Sequence, residues 1–426
     1  MTSHWVVGDQ YGLPIPADPA TLLGAGAPFL TEAFRAAGTL GDNSITRISD
    51  YREIDGGSTG RKVVLSVEYD RAARHTDLFV KFSRDLDNPV RDRGKTQMEP
   101  EVRFAALSRA PEFPIAVPSP QFADYHRQSS TGLLITERIK FGANGIERQY
   151  HKCLDYEMPE PLAHYRALLT ALARLAGTHR SGRLPAELTA PFPVGVRAAT
   201  VGERTPLPAE KLQRRVNQLA DFTRSHPGLL PARARSPEFI ARLREEVVQF
   251  AHHEQAITRQ LADDCDYVAL CHWNANIDNA WFWRDTGGTL HCGLMDWGCV
   301  GQMNLGMALW GALSGAETEM WDLHLDELLR LFVTEFERYG GPPLDAARLR
   351  HHMLLYAGAM GVAWLLDVPA LIHKRFGTAP STRKDPRIKD DESVRAPLQM
   401  LSNLLNLWQR HRMGELLDAA LAEGVR

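Results

Sequence analysis

Two segments of the chain place polar side chains where strand-like runs end. HWNANIDN, residues 272–279, follows the apolar DYVALC and precedes the aromatic AWFW, and LMDWG, residues 294–298, ends the next apolar stretch after a Gly-Gly turn. Asn279 and Asp296 are hard oxygen donors of the type Mg²⁺ accepts together with phosphate oxygens, and on adjacent strands two such residues can hold one or two ions. Further toward the N-terminus, DGGSTGRKVVLSVEYD sets Gly56, Gly57 and Gly60 around Ser58 and Thr59. Glycines let backbone N–H groups approach an anion and short hydroxyls add donors, so a loop over phosphates is one reading and a plain hairpin turn the other. LFVKFS buries Lys81 in an apolar strand, where an ammonium needs a counter-charge or a ligand phosphate to offset its desolvation. Glu101, on the helix that follows, can supply that charge; the alternative is a lysine on the solvated face of an edge strand.

These residues need elements to hold them. From 44 to about 140 the pattern is strand-like: SITRISDYREI, GRKVVLSVEYD, DLFVKFS, AVPSPQFADYH and TGLLITERI are short runs rich in β-branched or aromatic residues with turn signals between them. The last is almost wholly apolar and reads as a central strand. EPEVRFAALSRA, with Pro100 in its first turn, is the one helix expected among them. After 140 long amphipathic helices take over. EPLAHYRALLTALARLAGTHR keeps Leu162, Tyr165, Leu168, Leu169, Leu172 and Leu175 on one face. SPEFIARLREEVVQFAHHEQAITRQLADD repeats the type behind a Ser236-Pro237 start signal. The expected fold is α+β: an N-terminal extension (1–43), a small lobe with a mostly antiparallel sheet (44–140), and a large, mainly helical lobe (141–426). STRKDPRIKDDESV, residues 381–394, mixes both signs of charge with little apolar content and is expected to be a solvated loop.

Glycine loop, strand lysine and helix glutamate, in that order, correspond to the phosphate-holding half of a protein-kinase-like small lobe. Together with HWNANIDN and LMDWG the chain resembles the aminoglycoside phosphotransferase and choline-kinase-like families, whose large lobe carries His-Gly-Asp-x-x-x-x-Asn and then an Ile-Asp-Trp-like segment. The resemblance covers roughly 45–315 by order of elements. It implies a two-lobed protein-kinase-like fold, ATP and Mg²⁺ as cofactors, and a hydroxyl of a small molecule as phosphate acceptor. By it His272 supports the loop, Asn279 and Asp296 are metal ligands, and Lys81 and Glu101 form the ion pair that orients the α- and β-phosphates. The segment ITERI, with Glu137 at its centre, becomes the hinge that takes the adenine through its backbone.

The chain departs from that pattern at the catalytic loop. Trp273 stands at the family's glycine and Asn274 at its catalytic aspartate, and an amide oxygen accepts a hydrogen bond without being a useful base. Loss of a general base costs ~10²–10⁴ in rate. Phosphoryl transfer tolerates this better than most reactions, because its transition state is loose and positioning plus electrostatics supply most of the acceleration. Asn274 can still orient a hydroxyl, and Asp278 is near enough in sequence to serve as a substitute base. Residues 304–309, NLGMAL, also lack the carboxylate of the family's Asp-Leu-Ala segment. A phosphotransferase is therefore one expectation, and a catalytically impaired relative acting as a nucleotide-binding or regulatory module is the other. Nucleotidyl transfer on the same fold is a third.

Composition narrows the partners. With 49 basic and 52 acidic residues in 426 and a formal net charge of −3, no global field favours nucleic acid or an anionic membrane. No apolar run reaches the length of a membrane span without charges. Five cysteines without a CxxC pair, and opening residues without a basic start and apolar core, lead us to expect a cytoplasmic protein. PARARSPEF and KLQRRVNQ are basic, which favours a neutral or anionic acceptor over a cationic one.

Overall fold

A computed structural model describes residues 4–54, 56, 59–195, 207–376 and 380–423. Its contacts divide the chain into two units, the smaller made of residues 1–144, 182–192 and 294–300 and the larger of 145–181, 193–293 and 301–426.

The smaller unit begins with two short paired strands, β1 (Trp5–Val7) and β2 (Pro14–Pro16), and a helix, Pro19–Ala36. Five further strands follow: β3 (Ile45–Ile54), β4 (Arg61–Tyr69), β5 (Asp77–Phe82), β6 (Pro120–His126) and β7 (Thr131–Glu137). They form one sheet in the order β3-β4-β5-β7-β6, antiparallel at every pairing. The alternation of side chains along a strand sorts residues to the two faces. Val63, Leu65 and Val67 of β4 and Leu78, Val80 and Phe82 of β5 join Leu22, Phe29, Leu30, Ala33 and Phe34 of the Pro19–Ala36 helix in one core. Residues before 44 are thus built into the small unit's hydrophobic interior. The opposite face is covered by the helix Met98–Leu107, whose Met98, Val102 and Ala105 pack on Ala123, Tyr125 and Leu134.

That sorting fixes Lys81. It lies on β5, the middle strand of the five, between Lys62 of β4 and Leu134 of β7, on the face under the Met98–Leu107 helix. The edge-strand reading of this lysine is therefore excluded, whereas β7 is interior as its apolar sequence predicts.

The larger unit is mainly helical, and its principal helices are Pro161–Arg180, Ala209–Ser225, Pro237–His252, Glu254–Asp263, Leu305–Leu313, Thr318–Arg338, Ala346–Trp364 and Glu392–Arg410. Ser236 caps its helix as its sequence position predicts, accepting a hydrogen bond from the Phe239 amide at 3.0 Å. The continuous helix expected over 236–264 is two helices, because the backbone at His253 leaves helical geometry (φ −97°, ψ 10°). Two small β ladders complete the unit's vicinity: β8 (Val268–His272) pairs with β11 (Val300–Asn304), and β9 (Ala280–Arg284) with β10 (Leu290–Leu294). The α+β class, with an antiparallel sheet in one unit and helices dominating the other, is as the sequence predicts. No single described helix is long and apolar enough to cross a membrane.

Candidate active site

In the smaller unit three of the expected residues meet at one ammonium. Lys81 Nζ donates to Glu101 Oε1 at 2.8 Å and to Asp296 Oδ1 at 2.5 Å. Lys81 and Glu101 are nearly buried, whereas the Asp296 side chain is 48% exposed. Desolvation alone would pull the Lys81 ammonium below its ordinary pKa, but the carboxylates of Asp296 and Glu101 outweigh it and hold the lysine charged. Glu101 moves upward, chiefly through burial and further through the negative charge of Asp296, against the opposing pull of Lys81. Two carboxylates, Glu101 and Asp296, thus share the Lys81 ammonium, with the Lys62 ammonium beside them on the same face.

Asp296 is delivered by local backbone geometry. It adopts a left-handed conformation (φ 62°, ψ 63°), uncommon for a residue with a Cβ and a form of strain that collects at functional sites. The next residue pins it: the Trp297 ring stacks on Phe104 at 3.7 Å between centroids, its Nε1 donates to Leu294 O at 3.1 Å, and its amide donates to Glu101 Oε1 at 3.1 Å. Trp297 is therefore packing and positioning at once.

The glycine-rich loop is only partly described; Gly57 and Ser58 lie outside the described residues. Gly60 is held at φ 54°, and a Cβ there would fall 1.8 Å from Phe82 O, so both conformation and space require glycine. Two cations that sequence reasoning missed seize the carbonyls of this loop. Lys62 Nζ donates to Gly56 O (2.9 Å) and Thr59 O (3.2 Å), and the Arg91 guanidinium donates to Gly56 O (3.2 Å) and Gly60 O (2.5 Å). Burial, followed by the charge of Lys81, lowers Lys62 to about 8. Its signal lay in the register: a lysine that pairs across the ladder with Lys81 shares its face.

Glu137, expected in an adenine-binding hinge, is strongly engaged. Its amide donates to Ser119 O at 2.9 Å, its Oε1 accepts from the Ser119 amide at 3.0 Å, and its Oε2 lies 3.0 Å from His75 Nδ1.

In the larger unit β8 carries His272, fully buried, into the polar loop. The backbone of the following residue, Trp273, lies against the helix Leu305–Leu313 at Gly311, where a Cβ would stand 1.8 Å from Trp273 O. The loop closes on itself: the Asn276 and Asn279 side-chain amides donate to Asn274 Oδ1 (2.7 Å) and Asn274 O (2.8 Å). The Asn279 NH₂ is thereby committed, and its carbonyl oxygen is the atom suited to a hard cation. Lys152, also missed, stands beside this loop with Nζ 3.5 Å from Asn274 Oδ1 and 3.8 Å from Asp278 Oδ2. It sits in an irregular segment, YHKCLDYE, where no periodicity marks a residue's neighbours.

Asn304 explains its own departure from the expected carboxylate. Its Oδ1 caps the helix Leu305–Leu313 by accepting from the Gly306 amide at 2.9 Å, as an aspartate would. Its Nδ2, 3.1 Å from His352 Nδ1, also donates to Leu261 O at 3.0 Å, which a carboxylate cannot do.

Thus Lys81, Glu101 and Asp296 are brought together in one unit, and Asn274, Asp278 and Asn279 in the other, the latter with Lys152. The Asp296 carboxylate in the smaller unit and the Asn279 amide oxygen in the larger are each hard oxygen donors.

No family description and no curated protein matches the sequence. Among solved structures the chain is similar to a macrolide 2′-phosphotransferase type I, at 15% identity over 86% of this chain and 94% of that one, with a TM-score of 0.39. It is similar to an ethanolamine kinase of Plasmodium vivax, at 12% identity over 85% and 83% with a TM-score of 0.43. It is similar also to a microcompartment-associated aminopropanol kinase, at 12% identity over 91% and 99% with a TM-score of 0.41.

Proposed function

We propose that the protein transfers the γ-phosphoryl group of ATP, with Mg²⁺, to a hydroxyl of a small molecule. The observation that carries this reading is the buried Lys81 ammonium held between Glu101 and Asp296 on the middle strand of the sheet. A lysine so placed is costly as mere architecture and is well suited to gripping phosphate oxygens once one carboxylate turns to a metal. In this reading Lys81 binds phosphates while Glu101 fixes its direction. Asp296 and Asn279 each offer an oxygen to Mg²⁺, which when bound supplies charge neutralisation on the phosphates. Asn274 orients the acceptor hydroxyl, Asp278 takes its proton, and Lys152 offsets negative charge beside them. The phosphoryl group passes to the acceptor oxygen and ADP leaves.

One observation favours a second reading, a nucleotide-binding module without turnover: Asn274 Oδ1 already accepts from two donors, Asn276 and Lys152. The test is ADP release, with mass analysis of products, across a panel of small alcohols with and without Mg²⁺. A product heavier by one phosphate supports the first reading. Metal-dependent thermal stabilisation by ATP without product supports the second, and a product carrying AMP overturns both.

A further inference from the structure

Two lysines face each other across the small sheet. Lys62 of β4 is the direct ladder partner of Lys81 of β5, so both side chains leave the same face, under the helix that carries Glu101. Like charges placed opposite one another on a sheet are destabilising unless anions answer them. Glu101 and Asp296 answer Lys81. Lys62 has no carboxylate within ion-pair distance among the described residues, and its ammonium is spent on two neutral oxygens, Gly56 O at 2.9 Å and Thr59 O at 3.2 Å. Burial, then the charge of Lys81, lowers this ammonium to about 8, the mark of a cation short of anions.

The glycine-rich loop does not depend on Lys62 alone. Arg91, on the short helix Pro89–Asp92, donates to Gly56 O and Gly60 O, and its Nε lies 3.2 Å from Asp85 Oδ2. At Gly94 a Cβ would stand 2.2 Å from Thr59 Cγ2, so the loop also rests on the chain that follows this helix. Gly56 O is therefore held twice, and release of Lys62 leaves only Thr59 O to find another donor. A hydrogen bond from an ammonium to an ionised oxygen is roughly twice as strong as one between neutral groups, so a phosphate oxygen can displace these carbonyls.

Resting on the phosphotransferase reading, we infer that Lys62 is a second phosphate-binding lysine of the nucleotide site, exchanging its loop carbonyls for an oxygen of the triphosphate that Lys81 holds beside it. Arg91 is a positioning residue, which keeps the loop in place through that exchange. Lys81 is already answered by Glu101, so the negative charge that remains on a magnesium triphosphate falls to Lys62.

The experiment measures the Mg-ATP affinity of the full-length protein by calorimetry near neutral pH for wild type, Lys62→Gln and Lys62→Arg, with circular dichroism as the check on folding. Glutamine keeps a donor for the loop carbonyls and removes the charge, so a role confined to shaping the loop would leave binding near normal. Expected instead is a loss of about tenfold or more with Lys62→Gln, the worth of one hydrogen bond between charged groups, and tighter binding by Lys62→Arg than by Lys62→Gln. In the wild type, Mg-ATP should also shield Lys62 from reductive methylation, read by peptide mass. Wild-type affinity in Lys62→Gln, equal losses in the two variants, or methylation of Lys62 indifferent to Mg-ATP overturns the inference and leaves the phosphotransferase reading standing. Affinity that depends on the Lys62 charge, with no phosphorylated product from any alcohol, overturns that reading and leaves Lys62 a nucleotide-binding residue. A wild type without Mg-ATP affinity overturns both.

Discussion

Lys81 Nζ and Asp296 Oδ1 are 2.5 Å apart, so the lysine expected to hold phosphates and the aspartate expected to hold metal are partners of each other. Any cation that takes Asp296 must first exchange this ion pair, and any phosphate that reaches Lys81 eases the exchange by supplying a replacement anion.

Lys81→Met is predicted to abolish measurable Mg-ATP affinity and to lower stability by about 3 kcal/mol, because it strands Glu101 in the interior beside a second carboxylate. Adding Glu101→Gln relieves the stranded charge, so the double variant should lose less stability than the single one while still failing to bind nucleotide. Denaturant unfolding and calorimetry read the two effects separately; equal losses in single and double variants would refute the electrostatic account.

Lys62 carries a pH signature. Its ammonium sits at about 8 in the fold against an ordinary value of 10.5, so between these values the unfolded chain holds a proton that the folded one has shed. Stability contributed at this site therefore rises with pH across that window, with the full penalty present below it. The difference in unfolding free energy between wild type and Lys62→Met should shift in the wild type's favour from pH 8 to pH 10. A difference that stays flat would place the lysine in solvent.

Asp155 works in the opposite sense. Burial is the main cause that lifts its carboxyl to about 7, with Glu317 adding to it and the Tyr165 hydroxyl, 2.7 Å away, opposing. Between the ordinary carboxylate range and pH 7 the folded protein holds a proton that the unfolded chain releases, so stability falls as pH rises through that interval. Asp155→Asn should remove this slope, and melting temperatures of the two proteins should diverge from pH 4 to pH 7 and run parallel above it.

The amide of Asn304 gives a simpler expectation. Asn304→Asp keeps the helix cap but turns a carboxylate toward Leu261 O, and should cost about 2 kcal/mol in denaturant unfolding. A neutral outcome would mean that the cap alone matters.

Much of the small unit was legible because its residues obey a period of two. The strands around Lys81, the interior position of β7 and the helix bearing Glu101 all follow from alternation and turn chemistry. The edge-strand alternative for Lys81 needed the sheet order, which alternation alone does not supply. The contribution of residues 19–36 to the core was hidden because a helix is amphipathic whether it covers a sheet or stands apart. In the larger unit HWNANIDN announced a polar loop, but Lys152 lies in irregular chain, where neighbours are decided by distant helices. The role of Asn304 as both acceptor and donor became visible only when Leu261 was placed beside it.

Gly311 faces the backbone of Trp273 with no room for even a methyl group. The crowding atom is the Trp273 carbonyl oxygen, so glycine is demanded at 311 whatever side chain stands at 273. The polar loop and the helix Leu305–Leu313 thus meet main chain to main chain at this point. Any side chain added at 311 would therefore lift the loop off its helix, while position 273 is left free to vary without a matching change there.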